Sequence, residues 1–209
     1  MKKFFKTLGI FALVMALVFS FTTCDGNGGD ENCNCENPCV IADCTCPDCP
    51  GNDNGTPVPF LAEMVSAGSH TMAIKIDGTL WAWGWNSTGR LGLGNSVETN
   101  TPTRVGTETN WSSVSAGSHT MAIKNNGTLW AWGDNSAGQL GLGNFEDRNT
   151  PTQVGTETNW SSVSAGSAYT MAIKSDGTLW AWGWNNTGQL GLGVSGAGTE
   201  RNVPTRVEH

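Results

Sequence analysis

Asp176-Gly177-Thr178-Leu179-Trp180-Ala181-Trp182-Gly183 is the stretch whose reading decides the fold. Thr170 to Lys174 precedes it and is itself a short strand-like run. An Asp-Gly pair between two such runs is a strong hairpin signal, and a type I′ turn with φ > 0 at both central residues is expected there. The same octet stands at Asp77 to Gly84, and with Asn for Asp at Asn126 to Gly133. Met-Ala-Ile-Lys precedes it each time, at Met72 to Lys75, Met121 to Lys124 and Met171 to Lys174, so the period is 49, then 50. Periods of about 20 to 50 residues mark solenoids, propellers or arrays.

Each unit divides into four strand-like pieces. In the second they are Trp111 to Ser115, Thr120 to Lys124, Thr128 to Trp132 and Thr150 to Val154. Pro151 suits an edge strand, where a missing N–H is tolerated. The sequence therefore predicts an all-β fold: three propeller-type blades of four antiparallel strands, a partial or open propeller following an irregular Cys-rich segment. The expected divisions are a signal peptide at 1–23, a Cys-rich acidic linker at 24–58, and repeats at about 59–106, 107–155 and 156–209.

Val163-Ser164-Ala165-Gly166, Thr170 to Ile173, the octet, Asn185 and Gly188-Gln189-Leu190-Gly191-Leu192-Gly193 together resemble the regulator of chromosome condensation repeat. The resemblance spans all three units, about 150 residues. It implies a propeller, and relatives mostly close with seven blades. The family usually places a His three residues after the Gly of its Ala-Gly turn. Here His70 and His119 come two after Gly68 and Gly117, and the third unit keeps the longer spacing with Tyr169. That slip accounts for the change of period.

Composition follows from the repeat. All 10 Trp lie in it, whereas charged residues are only 14% of the 209. The net charge of −7 argues against broad nucleic-acid binding. Lys2, Lys3 and Lys6 followed by the apolar Leu8 to Phe21 read as a secretory signal, too short to span a bilayer. Cys24 directly after it resembles a bacterial lipoprotein box and is the expected lipid-attachment site, although Thr23 departs from the small residue usual there. The location expected is the bacterial cell envelope or surface, with secretion as the alternative. Cys33, Cys35, Cys39, Cys44, Cys46 and Cys49 are candidates for disulfides or a metal site, in a stretch with seven acidic residues and no basic one.

No catalytic constellation recurs, so the reading is non-enzymatic and without a cofactor. Gly138 to Gly143 is read as structural, and His70 and His119 as buried hydrogen-bonders rather than metal ligands or bases. Function is sought where the units differ: Trp85 and Trp184 against Asp134, and Arg90 against Gln139 and Gln189. Trp85, Arg90, Asp134 and Trp184 form the candidate binding surface for a protein or glycan partner, Trp85 and Trp184 having blade packing as their alternative role. Alternatives are a secreted or periplasmic enzyme inhibitor, by resemblance to a β-lactamase-inhibiting bacterial propeller, and a truncated fragment of a longer repeat protein. Nucleotide exchange, the activity of the family's eukaryotic namesake, fits poorly with an export signal. Three blades are expected to leave two open apolar faces that favour self-association.

Overall fold

The computed structural model describes residues 59–208, and within them every regular element is a strand. Blade 1 contains β1 (Ala62–Ala67), β2 (His70–Lys75), β3 (Leu80–Gly84) and β4 (Thr99–Arg104). Blade 2 contains β5 (Trp111–Ala116), β6 (His119–Lys124), β7 (Leu129–Gly133) and β8 (Arg148–Gln153). Blade 3 contains β9 (Trp160–Ala165), β10 (Tyr169–Lys174), β11 (Leu179–Gly183) and β12 (Arg201–Arg206). Each blade is a four-stranded antiparallel meander in chain order. The expected strands are present, and Pro102, Pro151 and Pro204 fall in β4, β8 and β12, each a terminal strand of its sheet.

The hairpin turn differs from expectation. Among the described residues no non-glycine has positive φ, so Asp77 and Asn126 do not adopt the type I′ conformation. Lys75 pairs with Thr79 instead, leaving a three-residue loop in which Gly78 alone is left-handed. The side chain decides this: Asp77 Oδ1 accepts from the Thr79 N–H at 3.0 Å and from its hydroxyl at 2.6 Å. That local closure holds the acidic residue at negative φ and leaves the reversal to glycine.

The 49-to-50 slip is absorbed in one turn. Ala67 pairs with Thr71 and Ala116 with Thr120, whereas Ala165 pairs with Thr170 across a loop one residue longer. The Met-to-Ser pairing further along is kept in all three blades. Every side chain therefore keeps its face, which a slip inside a strand would reverse.

Blades stack through apolar side chains. Met72, Ile74, Leu80, Leu91 and Val105 of blade 1 pack on Trp111, Val114, Ala122 and Trp132 of blade 2. Met121, Ile123, Leu129, Leu140 and Val154 of blade 2 meet Trp160, Ala172 and Trp182 of blade 3 in the same way. The first strands lie side by side, with the Ala116 N–H donating to Ser66 Oγ and the Ala165 N–H to Ser115 Oγ, each at 2.9 Å.

Two equivalent glycines separate backbone strain from blade contact. Gly127 and Gly177 have φ of 74° and 83°. A Cβ at Gly127 would overlap the Thr158 carbonyl of the linker into blade 3, whereas one at Gly177 would meet nothing within 4 Å. Gly177→Ala is expected to cost about 1 kcal/mol, the left-handed penalty alone. Gly127→Ala is expected to cost about 3 kcal/mol once the overpacking is added. Urea unfolding of the two variants checks this, and equal losses would remove the blade contact from the explanation.

Candidate functional site

Between blades the polar groups form a repeated clasp. His70 Nε2 lies 2.6 Å from Thr120 Oγ1, which donates to the Arg90 carbonyl at 2.8 Å. His119 Nε2 lies 2.7 Å from Thr170 Oγ1, which donates to the Gln139 carbonyl at 2.8 Å. Each threonine has one proton and gives it to a carbonyl, so each Nε2 must be the donor. Nδ1 of both rings is then the bare nitrogen, and it is buried without a partner. Burial pushes the His70 pKa down to about 4, with Arg90 adding to the effect, and burial pushes His119 down to about 3. Both rings are neutral near pH 7 and act as structural hydrogen-bonders, as expected from sequence.

A second clasp was not foreseen. Lys124 is buried, donates to Glu108 at 2.5 Å, and lies 3.6 Å from the Trp130 ring centroid. Lys174 repeats this with Glu157 at 2.6 Å and Trp180 at 3.7 Å. An ammonium so desolvated needs both an anion and an aromatic face. The signal was present in the sequence as the recurrence of that lysine and of Glu three residues before Trp111 and Trp160.

The glycine-rich connection before each fourth strand is shaped by a fully buried asparagine. Asn135 Nδ2 donates to the Asn144 and Glu146 carbonyls, both at 3.0 Å, while Oδ1 accepts from the Leu140 N–H at 3.0 Å. Asn86 bonds the Asn95 and Val97 carbonyls and the Leu91 N–H, and Asn185 the Val194 carbonyl and the Leu190 N–H. The residue just before each asparagine is thereby held at one end of its blade. It is Trp85, Asp134 and Trp184 in turn.

Trp85 is 47% exposed and Trp184 41% exposed. Arg90, proposed from sequence as part of that surface, is instead buried. Its guanidinium stacks on the Trp85 ring at 4.2 Å and donates to Ser69 Oγ at 2.7 Å and Thr88 Oγ1 at 3.0 Å. Burial lowers its pKa, and the charges of Asp134 and Asp147 oppose that shift. At the same position Gln139 and Gln189 accept a backbone N–H through Oε1, from Ala137 and Thr187. Arginine has no acceptor, so it turns to hydroxyls and to the ring. Asp134 is half-buried and accepts from the Ser136 N–H at 3.0 Å, which makes it a loop-closing residue.

A cleft of about 570 Å³ opens beside Trp85, lined also by Gly84, Glu98, Thr99 and Asn100. A smaller one, about 260 Å³, lies between the loops of blades 1 and 2, lined by Ser87, Thr88, Ser96, Asp147, Arg148 and Asn149. Among the described residues no group of three His, Cys, Asp or Glu is placed to hold a metal. Cys24 and the six candidate disulfide or metal cysteines lie outside the described residues.

The sequence model described as the regulator of chromosome condensation (RCC1) repeat matches residues 77–123, 126–173 and 176–209. The chain belongs to this repeat family. A second model of the same description matches residues 111–139 and 160–189. The ultraviolet-B receptor UVR8 of Arabidopsis thaliana is 42% identical over 46 residues, which are 22% of this chain and 10% of that protein. Prp20p of Saccharomyces cerevisiae superposes with a TM-score of 0.64 at 24% identity, over 71% of this chain and 38% of Prp20p. Human WBSCR16 superposes with a TM-score of 0.62 at 22% identity, over 72% of this chain and 38% of that one. The chain thus spans well under half the length of these relatives, and at such identities the two superpositions establish the fold.

The matched RCC1 repeats are out of step with the blades. The first, 77–123, takes in β3 and β4 of blade 1 and then β5 and β6 of blade 2, ending one residue short of Lys124. One sequence repeat therefore encloses a blade-to-blade junction rather than a blade.

Proposed function

We propose that this chain is an exported, non-catalytic RCC1-repeat module that binds a protein partner through the Trp85 end of its blades. The carrying observation is Trp85 itself: 47% exposed, braced from behind by the buried Arg90, and lining a cleft with Glu98, Thr99 and Asn100. An aromatic ring that is exposed yet already ordered loses little side-chain entropy on binding, which is the character of an interface anchor. Trp184, on the equivalent position of blade 3, is a second exposed ring, without an arginine behind it. RCC1-like propeller repeats commonly mediate protein interactions, and Prp20p, which shares the fold, was characterised for binding to Gsp1p and histones. Only the use of the fold as a protein-binding scaffold is carried over. Export rests on Lys2, Lys3, Lys6 and the apolar Leu8 to Phe21, and anchoring on Cys24. A glycan reading draws on the same cleft, since a ring beside carboxylate, amide and hydroxyl groups suits a sugar face.

A photocrosslinking residue at Thr99, introduced into the full chain in its producing cell, tests this. A discrete protein adduct is expected, reduced at least tenfold by Trp85→Ala and absent when the crosslinker replaces Ile76 at the opposite end of the blade. Equal adducts from both ends would sink the reading. An adduct with one secreted enzyme, accompanied by loss of that enzyme's activity, would favour the inhibitor alternative, and carbohydrate adducts would favour glycans.

A further inference from the structure

We propose that the two outer blade faces are complementary halves of one interface, and that a second copy of this chain docks its blade 1 onto blade 3 of the first. The hexapeptides of β2, β6 and β10 are nearly the same sequence in three surroundings. In β6, with a blade on each side, all six residues are buried. In β2 the face toward blade 2, with His70, Met72 and Ile74, is buried, while Thr71 and Lys75 on the other face are half-open. In β10 the pattern inverts: Thr170, Ala172 and Lys174 are buried against blade 2, while on the other face Tyr169 and Met171 are half-open and Ile173 is exposed.

Equivalent positions measure what is missing. Ile74 and Ile123 are 2% and 3% exposed, but Ile173 is 41% exposed; Leu80 and Leu129 are 0%, but Leu179 is 36%. What covers Ile74 and Ile123 is a pair of tryptophans and a valine-bearing first strand of the next blade. The described residues contain one such surface without a blade upon it, that of blade 1. There Val65, the counterpart of the buried Val114, is 64% exposed. Ala62 takes the register position of Trp111, but the Phe60 ring stands edge-on to Trp81 at 5.6 Å and Trp83 at 6.0 Å, as Trp111 does to Trp130 and Trp132. The surface is therefore built already.

Polar groups match as well. Thr170 Oγ1 and Trp182 Nε1 both donate to the Gln139 carbonyl across an internal junction. Thr71 and Trp83 hold the donor positions on blade 1, and Gln189 the acceptor position on blade 3. Lys75 lies over Phe60 and Trp81 but has no ion pair among the described residues, and Glu208 follows directly on Val207 at the edge of blade 3. The outer junction lacks a histidine, since Tyr169 stands in its place, so it is weaker than the internal ones. Such a head-to-tail contact joins different faces and builds rings or filaments rather than a symmetric pair.

The test uses the full chain in mild detergent, with mass followed by sedimentation velocity over a range of concentrations. Association that rises with concentration is expected. Ile173→Lys on blade 3 and Val65→Lys on blade 1 alter exposed positions, and unchanged near-UV circular dichroism verifies their fold. Each variant alone should associate at least tenfold more weakly. An equimolar mixture should form a one-to-one pair and nothing larger, because each variant retains the face the other has lost. A monomeric wild type overturns the proposal, whether other segments or further repeats cover the faces. So does association untouched by either lysine, or a mixture that does not pair.

Discussion

Acidification from pH 6.5 to 4 is expected to destabilise the repeats by about 3 kcal/mol for each of His70 and His119, as an order of magnitude. In the folded chain their pKa values are lowered to about 4 and about 3, from an ordinary 6.5. Between those limits the unfolded chain binds protons that the folded chain refuses, so stability falls as pH falls and is flat above about 6.5. The structure explains the refusal. The incoming proton must sit on Nδ1, which is buried and faces no acceptor, while Nε2 is already engaged with threonine. Asp77 and Asp176 are held below the ordinary carboxylate range, chiefly by Thr79 and Thr178 hydroxyls, so they do not titrate in the upper part of this window. Urea midpoints at pH 7.5, 6.5, 5.5 and 4.5 measure the slope. His119→Gln retains a donor near Nε2 and removes the titration, and it should flatten roughly half of that slope. A double variant with His70→Gln that remains as acid-sensitive as wild type would show that the histidines are not responsible.

Trp132→Ala should destabilise the chain by about 3–5 kcal/mol, whereas Trp83→Ala should cost less than half as much. The two residues occupy the same position of consecutive blades. Trp132 is fully buried between Trp111 and the apolar face of blade 1, and its loss opens a cavity that two packed sheets are poorly able to close. Trp83 is half-exposed, and its ring meets that of Phe60 edge-on at 6.0 Å with no blade beyond it among the described residues. Chemical denaturation at low protein concentration checks the ratio. If the proposed docking of a second copy holds, the Trp83 penalty should grow with concentration while that of Trp132 stays constant. Equal penalties at every concentration would mean that blade stacking is not what gives Trp132 its weight.

Much of this was legible from residues. Period and turn signals set the strands, proline marked the edges, and the recurrence of glycines in every unit and of a histidine in the first two pointed to structural roles that the buried asparagines and threonines complete. The misses share a cause. Arg90 differs from Gln139 and Gln189, and such variation suggests an exposed residue; its stem and head are instead taken up by the neighbouring ring and hydroxyls. Lys124 stands out in the sequence only as part of a recurring motif, and its burial comes from Glu108 and two indoles that close over it from the linker and sheet. Asp-Gly reads as a two-residue turn, and a threonine one place further on converts it to three.

By itself the sequence determined the blade: its strand count, pairing, the places of its turns and the family that uses them, because those depend on neighbours within about 50 residues that recur almost unchanged. It did not determine burial. Ile74, Ile123 and Ile173 are one residue in one motif, two hidden and one open. The difference comes from whether another blade stands beyond that face. Hydrophobic stabilisation belongs to the surface removed from water by both partners together, so only the assembled structure decides it.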